Sequence, residues 1–373
     1  MKYYIIAGEA SGDLHGSNLM KGLKKSDHEA MFRFWGGDLM RSEGEDLVRH
    51  YRDLAFMGFI EVIRNIGTVK RNLDYCKKDI LNYSPDLLIL IDYPGFNLRM
   101  AQFASGKGIK VFYYISPKVW AWRESRVKKI RKYVDRMFVI LPFEVDFYGR
   151  YDYNVEYHGN PVVDAVDQAT RNMVSRNTFL AENNLPDKPV IGLLPGSRRQ
   201  EIRYMLPIML EVTNYYPDHQ FLVACSPTVD TEFYRGFTKE YDVTLLVDKT
   251  YTILRHSEAA LVTSGTATLE AALLNVPEVV CYKGNPVSYF IADRIVNITF
   301  ISLVNLIMDD EVVRELLQSE LVVANLKTEL DKILFDKTYR KIMLLRFDEL
   351  KKRLGQPGVS ERIAGRMVAL LKE

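Results

Sequence analysis

A chain of 373 residues, 47% hydrophobic and 26% charged, is too long for one compact core and suits two α/β domains. Its 50 basic and 48 acidic side chains leave a formal charge of +2, which argues against wholesale nucleic-acid binding. The three cysteines, Cys76, Cys225 and Cys281, lack any Cys-X-X-Cys spacing and point to a reducing cytoplasm; no run approaches the roughly 18 apolar residues of a spanning helix.

The N-terminal apolar run is too short for a signal peptide and meets Glu9 at once, so residues 3–7 read as a first strand. Residues 33–35, 87–91, 111–115 and 136–140 follow as strands separated by amphipathic stretches. That alternation implies a doubly wound parallel sheet with reactive residues at the strands' C-terminal ends. At the first such end, small residues surround Glu9, Ser11 and Asp13. The GxGxxG spacing is absent and the acids would repel a pyrophosphate, so this turn suits a hydroxyl-rich acceptor. His15 nearby reads as a packed or exposed histidine rather than a catalyst.

Residues 54–71 mix large apolar side chains with Arg64, Lys70 and Arg71; docking of acyl chains or a membrane surface and burial as a core helix both fit. The strand 87–91 ends at Asp92, followed by Tyr93-Pro-Gly-Phe-Asn97. A carboxylate against apolar strand residues has a raised pKa and can take a proton from a hydroxyl, the other reading being a cap of the next turn. After the strand 111–115, Trp120, Trp122 and Arg123 offer sugar stacking and acceptor-phosphate binding, or core tryptophans beside surface arginines. The basic run from Arg123 to Arg136 is otherwise a solvated face.

A domain boundary falls near 165–188, giving domains 1–170 and 171–345 and a C-terminal helical segment 346–373. In the second domain, 190–194, 220–224, 243–246, 259–263 and 278–282 read as strands. The first ends in Pro195-Gly-Ser-Arg198 and restarts as a helix containing Glu201, a further candidate contact for the donor. Unpaired helix-start amides and the helix dipole favour an anion there, Gly196 permits close approach, and Ser197 and Arg198 add a hydroxyl and a planar guanidinium. A second such turn, Ser264-Gly265-Thr266, leads to Glu270, whose carboxylate suits the two hydroxyls of a ribose. With no Asp-X-Asp in the chain, Arg198 and the helix starts are left to neutralise a leaving diphosphate, and no metal or other cofactor is expected. After Gly358, Ser360 is placed to cap a last helix presenting Ile363, Met367, Val368 and Leu371 on one face, which returns to the first domain or is buried on its own.

These motifs together resemble the lipid-A-disaccharide synthase family, inverting glycosyltransferases of the GT-B fold from Gram-negative bacteria. The resemblance rests on Gly8-Glu-Ala-Ser-Gly-Asp13, Met57-Gly58, Asp92 with Phe96-Asn97, Ser116-Pro117, Val119-Trp-Ala-Trp-Arg123, Leu141-Pro-Phe-Glu144, Leu194-Pro-Gly-Ser-Arg198 with Glu201, Ser264-Gly-Thr266 with Glu270, and Asn305-Leu306. It implies two Rossmann-like domains facing a cleft, and transfer of 2,3-diacylglucosamine from its UDP conjugate to 2,3-diacylglucosamine 1-phosphate. The products would be a β-1,6-linked disaccharide 1-phosphate and UDP. It carries the family's essential aspartate onto Asp92 and its essential arginine onto Arg198, sets Asn305 near the donor, and implies a dimer that exchanges C-terminal segments. It also implies a cytoplasmic enzyme resting on the inner membrane. Gly95 and Asn160 stand where many members have aspartate and histidine, and Val304 where proline is usual. Two rivals stay open: another GT-B enzyme of UDP-N-acetylglucosamine, either a cell-wall transferase or a 2-epimerase, and a catalytically silent acyl-sugar carrier.

Overall fold

The structure, a computed structural model, describes residues 1–53, 66–122, 124–171, 173–284 and 299–373. Its chain divides into two compact units, Met1–Pro161 with Gly355–Glu373, and Val162–Leu354.

In the first unit, β1 (Lys2–Ala7), β2 (Met31–Gly36), β3 (Asp46–His50), β4 (Leu87–Ile91), β5 (Lys110–Tyr114), β6 (Arg136–Val139) and β7 (Glu156–Tyr157) form one parallel sheet in the order β3-β2-β1-β4-β5-β6-β7. Side chains alternate between its faces. Tyr4, Ile6, Leu88, Leu90 and Tyr113 pack on one side with Phe96 and Met100. Tyr3, Ile5, Leu87, Ile89 and Tyr114 pack on the other with Leu19 and Leu23 of α1 (Ala10–Ser26), and with Ile363, Ala364 and Met367. Burial on both faces is why residues 87–91 read as an unbroken aliphatic run.

The last helix, Val359–Lys372, thus lies on the first unit's sheet beside α1. A Cβ on Gly22 would stand 2.8 Å from the Ala364 Cβ, so only glycine allows this approach. Ser360, expected as the cap, is buried instead, and Gly358 in a left-handed conformation (φ +91°) is the N-cap. The close seat on α1 carries the first turn of the helix inside.

In the second unit, β8 (Val190–Leu194), β9 (Gln220–Cys225), β10 (Val243–Val247), β11 (Ser257–Thr263), β12 (Glu278–Tyr282) and β13 (Glu315–Leu317) form a parallel sheet in the order β10-β9-β8-β11-β12-β13. All ten strands expected from the sequence fall on observed ones. The unread strands β3, β7 and β13 lie at sheet edges and carry charged residues such as Asp46, Glu156 and Glu315, so no apolar run announced them.

The order of strands places a switch point in each sheet. The chain winds outward from β1 through β2 to β3 and then returns to β4 on β1's other side; β8 and β11 are related in the same way. Loops at such reversals leave a crevice at the strands' C-terminal ends, where ligands bind in open α/β sheets. The three cysteines are buried and unpaired. No helix among the described residues is long and apolar enough to cross a membrane.

Candidate active site

β1 and β4 pair through Ala7 and Ile91, so the residues just beyond them, Glu9 and Asp92, meet at the first switch point. Asp92 and Tyr93 are left-handed (φ +43° and +47°), as is Ile115 at the end of the neighbouring β5 (φ +65°). Non-glycine residues are uncommon there, and a β-branched one is an outlier that marks strain. The bend at Asp92 is held through its carbonyl, which accepts from Asn97 Nδ2 at 2.8 Å and from the Tyr113 hydroxyl at 2.5 Å. Asn97 Nδ2 also reaches the Ile91 carbonyl at 3.1 Å, and its side chain is fully buried. Gly8 makes room for the Tyr93 ring, whose carbons would lie 2.4 Å from a Cβ at that position. Tyr93 is the N-cap of α2 (Pro94–Ser105), and the Asp92 carboxyl accepts from the Tyr93 amide.

Burial pushes the Asp92 carboxyl up to about 6; Glu9 adds to the rise, while Lys118 and the Tyr93 amide hold it down. Such a group is ionised at neutral pH yet basic enough to accept a proton from a hydroxyl in a transition state. Glu9 and Ser11 are exposed at the start of α1. Asp13, expected beside them at the acceptor, is committed elsewhere: its carboxylate accepts from the amides of Gly37 (2.7 Å), Met40 (3.0 Å) and Leu39 (3.1 Å), capping the short helix Asp38–Arg41. Arg123, the Trp122 side chain and most of 54–71 lie outside the described residues. Lys118 and Tyr113 went unread because their relation to Asp92 exists only once β4 and β5 are paired.

At the second switch point, Gly196 is left-handed (φ +106°) and Arg198 is the N-cap of α3 (Arg199–Thr213). The amides of Ser197 and Arg198 donate to Glu201 Oε2 at 3.0 and 3.2 Å, and the Arg198 guanidinium reaches Glu201 Oε1 at 3.1 Å. A Cβ on Gly196 would lie 2.6 Å from that same Oε2. Glu201, expected to touch a donor, is thus the anion that fills the turn. A carboxylate at the third helical position reaches back to the open amides of its own helix start. The Arg198 side chain remains 49% exposed.

Beside this turn, the Ser264 hydroxyl donates to the Ile301 carbonyl at 2.9 Å, and Thr266 is exposed at the start of α4 (Thr266–Leu273). Glu270, half-buried on α4, accepts from the Tyr251 hydroxyl at 2.9 Å, and burial raises its carboxyl. Asn305 is fully buried: Nδ2 donates to Val313 O and Glu315 Oε1, and Oδ1 accepts the amides of Val312 and Val313, all at 2.8 to 3.0 Å. Both donors and both lone pairs of the amide are spent inside the protein. Glu315 in turn accepts the amides of Ile301 and Ser302, both at 2.9 Å. Asn305 therefore steadies the segment that holds Ser264, a placement that the resemblance, which set it near the donor, did not reveal.

Gly95 is exposed, and a Cβ there would meet nothing within 4 Å, whereas Asn160 is buried and donates to the Ile140 carbonyl at 3.0 Å. The model of the Lipid-A-disaccharide synthetase family matches residues 3–362. The chain belongs to this family. It is 38% identical over 374 residues to the lipid-A-disaccharide synthase of Geobacter sulfurreducens, covering 98% of this chain and 96% of that one. It is 35% identical over 365 residues to that of Coxiella burnetii, with 96% of each covered. Among solved structures it is similar to the UDP-GlcNAc 2-epimerase from Neisseria meningitidis bound to UDP-GlcNAc (TM-score 0.71, 14% identity, 100% of both chains) and to a glycotransferase of kitacinnamycin (TM-score 0.66, 13% identity, 100% and 98%). Those likenesses establish the GT-B-like fold. As a lipid-A-disaccharide synthase family member, the chain is a glycosyltransferase of lipid A biosynthesis.

Proposed function

We propose that the chain joins the two acylated sugars in one displacement with inversion. Asp92 takes the proton from the 6-hydroxyl of 2,3-diacylglucosamine 1-phosphate, and that oxygen bonds to the anomeric carbon of UDP-2,3-diacylglucosamine from the face opposite the nucleotide. The bond from that carbon to the phosphate oxygen breaks, and its electron pair leaves with UDP. The observation that carries this reading is Asp92 itself, a carboxylate made basic by burial at a strained strand end.

On the donor side, Arg198, the Ser197 hydroxyl and the turns at Gly196 and Ser264-Gly265-Thr266 stabilise charge on the departing diphosphate without metal, while Glu270 takes the ribose. Glu9, Ser11, Asn97, Trp122 and Arg123 belong to the acceptor side, Asn97 acting through the backbone of Asp92. Because the substrates are acylated, the chain rests on the cytoplasmic face of the inner membrane through residues 56–71 and the basic run 123–136. The seat on α1 suits a last helix from this chain or, by exchange, from a second copy.

The test is UDP release by purified protein given both acyl sugars in the presence of chelator, for the native chain, Asp92→Asn and Arg198→Ala. Activity in chelator that both substitutions abolish supports the reading. Metal dependence, or an active Asp92→Asn, overturns the mechanism while leaving the family untouched.

A further inference from the structure

Behind Ile115 lies a buried polar cluster that the proposed chemistry leaves unused. The Ser116 hydroxyl, 2.6 Å from the Tyr148 hydroxyl, also donates to the Pro117 carbonyl at 3.0 Å. Tyr148 belongs to the helix Phe143–Gly149, and one turn earlier on it stands Glu144, 1% exposed. Its Oε2 accepts the amides of Leu141 at 3.0 Å and Ile140 at 3.3 Å. Burial lifts this carboxyl to about 7, against the amides, Ser116 and Trp120, which favour its charged form; Tyr148 and Tyr157 are the other titratable groups that feel it. The segment that follows β6 thereby grips the segment that follows β5.

That grip falls on the strained residue. Backbone strain of the kind seen at Ile115 persists only where the surroundings over-determine it. Immediately after Ile115 come Ser116 and a tight turn in which the Val119 amide donates to the Pro117 carbonyl at 2.6 Å. This turn carries Lys118, an exposed cation whose charge favours ionised Asp92, and the Asp92 amide donates to the Tyr114 carbonyl at 3.2 Å, which ties the end of β4 to the segment entering the turn. The other groups around Asp92 are Glu9, from the segment before α1, Tyr93, and Tyr113 from β5, whose hydroxyl is bound to the Asp92 carbonyl.

We propose that Ser116, Tyr148 and Glu144 are positioning residues: they hold the strained Ile115 turn, to which Asp92 is tied through the Tyr114 carbonyl, and so set where the Lys118 charge stands relative to Asp92. The proposal rests on the reading of Asp92 as the general base. With Lys118 in place the ionised carboxylate is favoured. With Lys118 released, burial and Glu9 dominate, and Asp92 holds its proton to higher pH.

The experiment is the pH dependence of kcat/KM from about pH 5 to about pH 8 for Tyr148→Phe, Ser116→Ala, Lys118→Met and the pair Tyr148→Phe with Lys118→Met. Each single change is expected to cost about two- to threefold more at pH 6 than at pH 8, because the acid limb moves up. The pair is expected to move it no further than Lys118→Met alone. A limb that Lys118→Met shifts but Tyr148→Phe and Ser116→Ala leave in place overturns the proposal, as does a pair whose shifts add. A loss that is equal at every pH, with a lowered Tm, assigns the cluster to stability alone and also overturns it. Ser116→Ala is the smaller change and carries the test if Tyr148→Phe does not fold. If Asp92→Asn stays active, the base reading falls separately. Titration of the Asp92 carboxyl by NMR then decides: an upward shift in Ser116→Ala sustains the placement of Lys118, and no shift ends it.

Discussion

At the β1/β4 edge the proposed base, Asp92, sits among buried neighbours and left-handed turns at Asp92, Tyr93 and Ile115, whereas at the β8/β11 edge the turn proposed to bind the diphosphate is half open and held by its own Glu201. The first arrangement spends backbone strain to fix one group's basicity. The second uses an exposed ion pair, of a kind worth only about 0.2–1 kcal/mol, which an arriving diphosphate can replace. A general base must keep its pKa through every turnover, and a leaving-group site must take up and release a charged product. Rigidity suits the one and exchange suits the other.

The largest effect expected from breaking this contrast is at Asp92. Asp92→Asn is expected to lower kcat by about 10²- to 10⁴-fold with Tm unchanged, measured by UDP release and thermal unfolding. In the native chain kcat/KM is expected to rise with pH through about 6, since only the ionised form accepts a proton. Arg198→Ala comes next, at about 2.7–4 kcal/mol of barrier, read from kcat at saturating donor. A loss confined to KM would show that Arg198 holds the donor equally before and during reaction, and would remove it from the transition state.

Glu278 sharpens the comparison from the other side, as a buried acid remote from either edge's chemistry. It begins β12, neither of its oxygens has a hydrogen-bond partner among the described residues, and burial holds its carboxyl well above the ordinary glutamate value. Burial favours the protonated carboxyl in the folded chain while the unfolded chain ionises above about pH 4.3, so its contribution is whole below that pH and is lost as pH rises through the raised folded value. Glu278→Met is expected to stabilise the protein by about 1–3 kcal/mol at neutral pH, and by less in acid, in denaturant titrations. The smallest effect belongs to Glu201→Gln, which keeps an acceptor for the helix start but removes the competing charge. Calorimetry is expected to show UDP binding about two- to fivefold tighter, consistent with a surface pair of that worth. Weaker binding would make Glu201 a positioning residue for Arg198 and end the contrast drawn above.

Much of this was legible in the sequence. The aliphatic runs that became β4 and β8, the glycine turns after β8 and β11, and Asp92 at a strand end all follow from local pattern, because a strand buried on both faces and a strand-to-helix turn each need particular residue types in a row. The edge strands β3, β7 and β13 were silent, since charged residues such as Asp46, Arg49, Glu156 and Glu315 leave no unbroken apolar run in them. Hydrogen bonding hid more. Asp13 and Asn305 have the chemistry of ligand contacts, yet the folded chain spends the first on the amides of Gly37, Leu39 and Met40 and the second on Val312, Val313 and Glu315.

By itself, then, the amino-acid order determined which segments are strands, which of their ends carry an acid, a glycine or an arginine, and to which family the whole belongs. Tertiary structure alone decided that Tyr113 and Lys118 attend Asp92, that Tyr251 attends Glu270, that Glu201 occupies the turn at Gly196, and that the last helix lies on α1. Periodicity and turn chemistry act between residues a few positions apart, and any short window of sequence contains them. Whether a polar side chain serves a ligand or the protein's own backbone depends on which distant segment is folded against it, and that is set only when the sheets are assembled.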